Sequence, residues 1–281
     1  MKLSSRIKIF YWKLESIAYE FFANIMLSKP SSFVAEFEHP IIVSLTSYRP
    51  RFKKLHLTIK CLIRQSLRPN KIILWVSFED YIFLPTRIKE IEKKYHFFEV
   101  RACEDIKSYK KIIPTIEAFP NSYIVTADDD IFYPKKWLYY LAEEIGDEKI
   151  IIAHRAHSPV FSGDHLDSYE NWNHNINCHS SGLIVPTGIG GILYSPGSLP
   201  EETINKNNFM KLAQTADDLW LFWMGRRNNA QYILTKNRLN FVAWHNSHHG
   251  GLAEINVEKR LNDKVILNLE NEYGCINKMV K

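Results

Sequence analysis

The chain has 281 residues, of which 46% are hydrophobic and 24% are charged. This length and apolar content suffice for a buried core, which excludes an intrinsically disordered chain. The net charge of +5 is compatible with anionic partners, but the excess is too small to indicate which kind.

An N-terminal helix is the first predicted element, and we treat residues 1–37 as a segment separate from the rest of the chain. Lys13, Glu15 and Glu20 interrupt its apolar run before the roughly 20 apolar residues that a membrane span requires. It also lacks the cleavage site of a signal peptide. Two roles stay open: packing against the protein body, or lying on an anionic membrane surface through its basic and apolar residues.

The four cysteines are scattered along the sequence, with no CxxC pair and no zinc-site spacing. This usage favours a reducing compartment. The expected location is therefore the cytoplasm, with peripheral contact to the inner face of the cytoplasmic membrane left open by the N-terminal helix.

From residue 41 onward, apolar β-branched runs alternate with helical segments. Strands are predicted at IIVSLTS, KIILWVS, FFEVRAC and SYIVTA, with a helical segment between each pair. This alternation predicts an α/β fold with a doubly wound, Rossmann-like sheet flanked by helices. The less regular second half, from about residue 150, predicts strands and long loops that cover the same sheet edge, with one helix at TADDLWLFWMGRRN.

Polar residues follow two of these strands directly: TSYRPR after the first and ADDD after the fourth. In such sheets, ligands bind outside the carboxyl ends of the strands. If the backbone stays extended, Asp128 and Asp130 share a face and offer two hard oxygen ligands that suit Mg²⁺ or Mn²⁺. A solvated acidic turn or a helix cap would explain the same residues.

Three further motifs occur in the second half. PTGIGGILY has glycines that allow close backbone approach or a positive φ, although a turn between two strands explains it equally. In TADDLW, one of Asp217 and Asp218 is expected as a helix N-cap, which leaves the other to act as a general base. In FVAWHNSHHGGL, one of His245, His248 and His249 could complete a metal site or hold a diphosphate.

In this order and spacing, these features resemble the nucleotide-sugar-dependent glycosyltransferases of the GT-A fold. The resemblance is to bacterial enzymes of polysaccharide and lipopolysaccharide assembly, similar to family 2. It covers about residues 41–251. It implies one glycosyltransferase domain over 38–281, with a nucleotide-binding half over about 38–150, and an acceptor half over about 151–281 that includes a smaller sheet and loops.

The resemblance also implies roles for individual residues. Asp128 and Asp130 would hold Mn²⁺ or Mg²⁺ on the donor diphosphate, and we select His245 as a third metal ligand. Asp218, chosen over Asp217, would be the catalytic base of an inverting enzyme. The residues expected to contact the donor are Thr46, Tyr48, Arg49, Asp105 (with Glu104 as its alternative), Lys111 (with Lys110 as its alternative), Asp128, Asp129, Gly190 and Gly191.

The expected reaction transfers a single sugar from a nucleoside diphosphate sugar to a hydroxyl of a glycan or lipid-linked acceptor. Among these donors, a UDP-sugar is the expected one. The sequence departs from the family in having DD before leucine where ED before arginine is common. It also lacks QxxRW and membrane spans, which argues against processive polymerisation. The alternatives are a metal-dependent nucleotidyl- or phosphoryltransferase and a non-catalytic membrane-associated binding module. Because basic residues are dispersed along the sequence, no nucleic-acid partner is expected.

Overall fold

The structure is a computed structural model that describes residues 3–25, 29–34, 36–146, 149–176, 183–247 and 260–279. Its centre is a seven-stranded sheet in which one strand, Ile192–Tyr194, runs antiparallel to its two neighbours and the other strands are parallel. In chain order the strands are β1 Ile41–Thr46, β2 Lys71–Ser77, β3 Phe98–Cys103, β4 Tyr123–Ala127, β5 Ile131–Phe132, β6 Ile150–Ala153, β7 Ala156–His157, β8 Phe161–Ser162, β9 His165–Leu166, β10 Val185–Pro186, β11 Ile192–Tyr194, β12 Gln231–Leu234 and β13 Val242–Ala243.

The order of strands in the sheet is β12-β6-β11-β4-β1-β2-β3. The chain therefore winds outward from β1 to β3, then returns to place β4 on the other side of β1. This reversal makes the gap beyond β1 and β4 the topological switch point, where open α/β sheets bind ligands. The parallel register pairs Leu45 with Ala127, so the residues that follow the two strands emerge side by side.

Helices cover both faces of the sheet. Their bounds are α1 Leu3–Ile25, α2 Phe52–Ile63, α3 Phe78–Tyr81, α4 Thr86–Lys94, α5 Ile113–Ala118, α6 Trp137–Ala142, α7 Lys206–Leu212, α8 Asp217–Arg227 and α9 Leu261–Tyr273. One apolar core contains side chains of α1, α2, α4 and α6, and a second contains side chains of α5, α7, α8 and α9. Alternate residues of β1 separate the two sides: Val43 belongs to the first core, whereas Ile42 packs with Ile73 and Trp75.

The predicted α/β class, the doubly wound sheet and its flanking helices are confirmed. In the second half, β6, β11 and β12 extend the central sheet, while β7 with β10 and β8 with β9 form small two-stranded pairs. β5 pairs with β13 in the same way. The division of the chain at residue 37 stays a prediction. Within the described residues, none of the helices combines the length and apolar character needed to cross a membrane.

Candidate active site

A cavity of about 590 Å³ opens at the switch point, and this volume is typical of small-molecule sites. Its walls come from the ends of β1 and β4, the turn at 107–111, the segment 185–189 and the start of α8. Parallel strands present their carboxyl ends at one edge, so residues distant in sequence converge here. The cavity is therefore the candidate active site.

The three consecutive aspartates all line this cavity, but they do not share one extended face. The backbone turns at Asp129 and Asp130, directly after Asp128. Asp129 accepts a hydrogen bond from Ser47 Oγ at 2.5 Å and pairs with Arg51 at 2.7 Å. Arg51 also pairs with Asp130 at 3.1 Å. The expectation of an extended backbone that aims Asp128 and Asp130 alike was wrong, because a turn begins after Asp128 and one guanidinium draws Asp129 and Asp130 together.

Asp128 instead faces the start of α8 across a buried lysine. The Lys111 ammonium lies 3.2 Å from Asp128 Oδ1 and 3.2 Å from Asp217 Oδ2. Asp218 Oδ2 accepts a hydrogen bond from the Gly188 amide at 2.8 Å. A Cβ on Gly188 would lie 3.1 Å from the Lys111 ammonium and 3.3 Å from Asp218 Oδ1, so a glycine lets the backbone approach both groups.

Neither Asp217 nor Asp218 caps α8. The N-cap residue is Ala216, which has no side-chain cap, and the two aspartates are the first residues of the helix. Carboxylates in the first turn are stabilised by the helix dipole. The expected N-cap was therefore wrong, and both carboxylates line the cavity.

Burial and crowding of like charges change the ionisation of these groups. Burial, and then the negative charge of Asp217, raise the pKa of Asp218 to about 7. Burial, and then the charge of Asp129, raise the pKa of Asp130 to about 7. Burial lowers the pKa of Lys111, but Asp128, Asp217 and Asp218 outweigh it and raise that pKa well above its usual value. Lys111 is thus a permanent cation beside a carboxyl group that titrates near neutrality.

The chemistry of the carboxylates in this cavity suits a hard divalent cation, although among the described residues their oxygens are not gathered around one point. Three carboxylates from the end of β4 and two from α8 line the cavity, with the half-buried Arg51 and the buried Lys111 as ion-pair partners. One carboxylate oxygen, Asp218 Oδ1, is buried without a hydrogen-bond partner, whereas Asp217 Oδ2 lies 3.2 Å from the Lys111 ammonium. An excess of buried negative charge is costly unless a cation or proton compensates it. Carboxylate oxygens are the ligands that Mg²⁺ and Mn²⁺ prefer.

Most residues predicted for the site do line the cavity. Three residues predicted to contact the donor do not line it: Arg49, Gly190 and Gly191. The predicted metal ligand His245 does not line it either. Asp105, which is half-exposed, is paired with Lys110, whereas its alternative Glu104 is paired with Lys206. The predicted residues that line the cavity are Thr46, Tyr48, Asp105, Lys111, Asp128, Asp129, Asp130 and Asp218.

Arg51, and not Arg49, reaches into the site. A 3₁₀ turn at Arg49–Arg51 leads into α2, and it places the two guanidinium groups differently. The Arg49 guanidinium lies 3.8 Å from the centroid of the Phe83 ring, whereas Arg51 pairs with the aspartates. The selection of Arg49 from TSYRPR followed the sequence resemblance, and neither the motif nor its charge pattern distinguished the two arginines.

Gly190 and Gly191 support the fold beside the site. Both have positive φ, +101° and +84°. The Gly190 carbonyl accepts a hydrogen bond from the Trp137 indole, and a Cβ on Gly191 would lie 2.7 Å from the Trp137 ring and 2.8 Å from the Thr126 carbonyl oxygen. Their role in this structure is close packing against α6 and β4. Gly188, three residues before Gly191, is the glycine that contacts the site.

His245 is held away from the cavity by the N-terminal helix. Its amide donates to Glu20 and its carbonyl accepts from Lys54. His248 and His249 lie outside the described residues. Among the described residues, the His, Cys, Asp and Glu side chains grouped closely enough to share an ion are His165, Glu270 and Cys275, which lie outside this cavity. The structure thus does not bring His245 to the aspartates.

Comparison with models of known families found no match, and comparison with curated proteins also found none. Among solved structures, the chain is similar to the mannosyltransferase PcManGT from Pyrobaculum calidifontis in complex with GDP-Man and Mn²⁺ (10% identity, 96% of this chain, 80% of that chain, TM-score 0.47). It is also similar to S. aureus TarS 1–349 (13% identity, 83% and 72%, TM-score 0.47) and to the inositol-1-phosphate CTP transferase from T. maritima (8% identity, 84% and 98%, TM-score 0.45). These likenesses are too distant to assign an activity, so we derive the function from the site itself.

Proposed function

We propose that the protein is a metal-dependent glycosyltransferase of the GT-A type that moves one sugar from a nucleoside diphosphate sugar to a hydroxyl group. The acceptor class is a glycan or a lipid-linked oligosaccharide. One observation carries the proposal: a carboxyl group with a pKa near 7, Asp218, shares a cavity at the switch point with the strand-end aspartates and a buried lysine. This combination supplies a base and cation ligands in one cavity, with Lys111 between Asp128 and the start of α8.

In the proposed reaction, Asp218 takes the proton of the acceptor hydroxyl as the oxygen forms a bond to the anomeric carbon. The bond from that carbon to the diphosphate oxygen breaks at the same time, so the configuration inverts. A base with a pKa near the working pH is well matched to this task. The Gly188 amide orients the Asp218 carboxylate through its 2.8 Å hydrogen bond.

Asp128 and Asp130 would hold the divalent ion, which would stabilise negative charge on the departing diphosphate. Lys111, already beside Asp128, adds a fixed positive charge on the same side of the cavity. Arg51 restrains Asp129 and Asp130 in the turn. Thr46 at the end of β1, Tyr48 after it, and Asp105 also line the cavity, and we assign them to the nucleoside.

The test combines a donor screen with two matched variants. Thermal shifts measured with nucleotide sugars, UDP-sugars first, with and without Mn²⁺, should identify a donor whose stabilisation requires the ion. With that donor, Asp218→Asn should reduce transfer at least about a hundredfold while its donor affinity stays within about twofold. Asp217→Asn should retain more activity, because Asp217 is the partner of Lys111 in the ion pair.

Two results would contradict the proposal. Undiminished transfer in excess chelator would remove the metal ion from the reaction. A near-normal rate for Asp218→Asn would remove that residue from the role of base. If both variants lost transfer activity equally while donor affinity stayed intact, Asp217 would be as good a candidate for the base as Asp218.

Nucleotidyl transfer is a second candidate, favoured by one feature. Four cationic side chains line the cavity, Arg51, Lys107, Lys110 and Lys111, and a nucleoside triphosphate would carry enough negative charge to engage several of them. The products separate the candidates: nucleotidyl transfer releases pyrophosphate, whereas sugar transfer releases a nucleoside diphosphate.

A further inference from the structure

The N-terminal helix α1 presents its large apolar side chains to the outside. In an ordinary surface helix, the apolar stripe faces the core and the polar face meets water. Here, a series of aromatic and aliphatic side chains is 48% to 62% exposed: Leu14, Ile17, Phe21, Phe22 and Ile25. A contiguous apolar face of this kind on a folded protein marks a binding surface.

The opposite face of α1 attaches the helix to the protein with small and polar groups. Ser16 and Ala23, seven residues apart, are buried at 0% and 1% exposure. Ser16 Oγ donates to the Ala243 carbonyl of β13 at 2.8 Å. Tyr19 packs on Phe132 of β5 with ring centroids 4.4 Å apart. Packing against the body therefore uses one face only, and it does not account for the exposed apolar residues.

Charge is distributed unevenly around the same helix. Glu15 and Glu20, its acidic residues, are engaged by the body, through Asn240 and Lys54 respectively. Lys13 is exposed, and at 100° per residue its position borders the stripe that contains Ile17 and Phe21. The sequence has a further basic residue, Arg6, seven positions earlier. The outward stripe is therefore uncharged, with a basic residue at its edge.

We propose that the outer face of α1 lies in the interfacial region of an anionic lipid membrane. An apolar face with aromatic residues and a basic border is the pattern of helices that lie in the plane of a membrane interface. Each basic residue near an anionic surface adds to the attraction. The 23-residue helix is about 34 Å long, which gives an extended contact line without any need to cross the bilayer.

The attachment of α1 places the active-site aspartates in a fixed relation to this surface. Ser16 bonds β13, β13 pairs with β5, and β5 directly follows Asp130. The Trp244 amide, next to β13, also donates to the Asp130 carbonyl at 2.9 Å. A membrane contact would hold the cavity near lipid-linked acceptors; that consequence rests on the proposed function, whereas the membrane contact itself does not.

The experiment measures binding of the whole protein to vesicles, without nucleotide or metal. Vesicles of phosphatidylcholine alone are compared with vesicles in which about one third of the lipid is phosphatidylglycerol. We expect binding to the anionic vesicles to be at least about tenfold tighter, and Phe21→Ser with Ile25→Ser to weaken it at least about tenfold. The charge variant Arg6→Gln with Lys13→Gln should reduce the preference for anionic lipid.

A matched pair elsewhere on the surface serves as the control. Phe78 and Ile82 are 60% and 72% exposed, close to the values of 62% and 60% for Phe21 and Ile25. Phe78→Ser with Ile82→Ser should leave vesicle binding unchanged, since these residues lie at α3 and not on α1. Circular dichroism of both double variants should match that of the unmodified protein.

Three results would overturn the proposal. The first is no binding of the unmodified protein to either vesicle. The second is equal binding by the outer-face variant and the unmodified protein. The third is a dimer in lipid-free solution, measured by analytical ultracentrifugation, that the outer-face variant dissociates, because a second copy of the chain would then cover this face. None of these results depends on sugar transfer, so they are distinct from a failure of the proposed function.

Discussion

Replacing Lys111 by methionine should destabilise the protein in a pH-dependent way. The Lys111 side chain is 9% exposed and lies 3.2 Å from both Asp128 and Asp217. Removing one member of a buried ion pair leaves its partners uncompensated, which costs about 3–5 kcal/mol. Its sequence neighbour Lys110 is equally buried at 6% exposure, but it pairs with the half-exposed Asp105. Lys110→Met should therefore cost no more than about 1 kcal/mol.

The pH dependence follows from the carboxyl groups that Lys111 leaves behind. The pKa of Asp218 is raised to about 7, and loss of the adjacent cation raises it further. An acid whose pKa is higher in the folded than in the unfolded state binds a proton on folding, so stability falls as pH rises through that range. The difference in unfolding free energy between Lys111→Met and the unmodified protein should therefore be larger at pH 8 than at pH 5.

Urea denaturation followed by tryptophan fluorescence measures this difference, since the chain contains seven tryptophans. The comparison should be made in chelator, so that no bound ion replaces the lost charge. A cost that is the same at both pH values would mean that Lys111→Met acts through packing alone. If Lys110→Met lowered the free energy of unfolding as much as Lys111→Met, burial of the lysine and not the burial of its carboxylate partners would determine the loss, and the reasoning would be refuted.

The remaining predictions concern other parts of the site, each checked by denaturation. Arg51→Met should lower the free energy of unfolding by about 3 kcal/mol, because two buried carboxylates lose their cation, while Arg49→Met should lower it by less than about 1 kcal/mol. Similar values would contradict the assignment of Arg51 to the cavity. Gly191→Ala should lower the free energy of unfolding by about 2–4 kcal/mol, since the new Cβ meets the Trp137 ring and the Thr126 carbonyl oxygen. Gly163 also has a positive φ but nothing near its Cβ position, so Gly163→Ala should lower it by about 1 kcal/mol. Equal values for the two variants would show that the structure relaxes around the Gly191→Ala clash. Asp218→Asn should flatten the decline in the free energy of unfolding between pH 5 and 8 by up to about 3 kcal/mol, and an unchanged pH profile would mean that Asp218 does not titrate there.

Much of the fold could be predicted from the sequence because its signals are local. The segments IIVSLTS, KIILWVS, FFEVRAC and SYIVTA became β1 to β4 within one residue at each end. The β-branched composition of β1, β2 and β4 reflects burial on both sides, whereas the edge strand β3 alternates, and the helices between the strands leave a parallel arrangement as the simplest packing. The same reasoning placed TSYRPR and ADDD at one sheet edge, and both line the cavity.

The partners of the site residues could not be predicted, because each depends on the path of the backbone in three dimensions. Asp128, Gly188 and Asp218 come from three separate elements, and Lys111 lies between Asp128 and the start of α8. Because the backbone turns after Asp128, Asp129 and Asp130 share a cation, and not the predicted pair Asp128 and Asp130. The 3₁₀ helix before α2 directs Arg51, and not Arg49, into the cavity.

For α1, the sequence determined that the helix is amphipathic, but not which face meets the protein. A helical period fixes which residues share a face, since that depends only on 3.6 residues per turn. Which face turns toward the protein depends on the groups that the rest of the chain places beside the helix. Here Ser16 donates a hydrogen bond to the Ala243 carbonyl, and Glu20 forms an ion pair with Lys54. Local pattern thus decided the elements and their order, whereas long-range hydrogen bonds and ion pairs decided how those elements face one another.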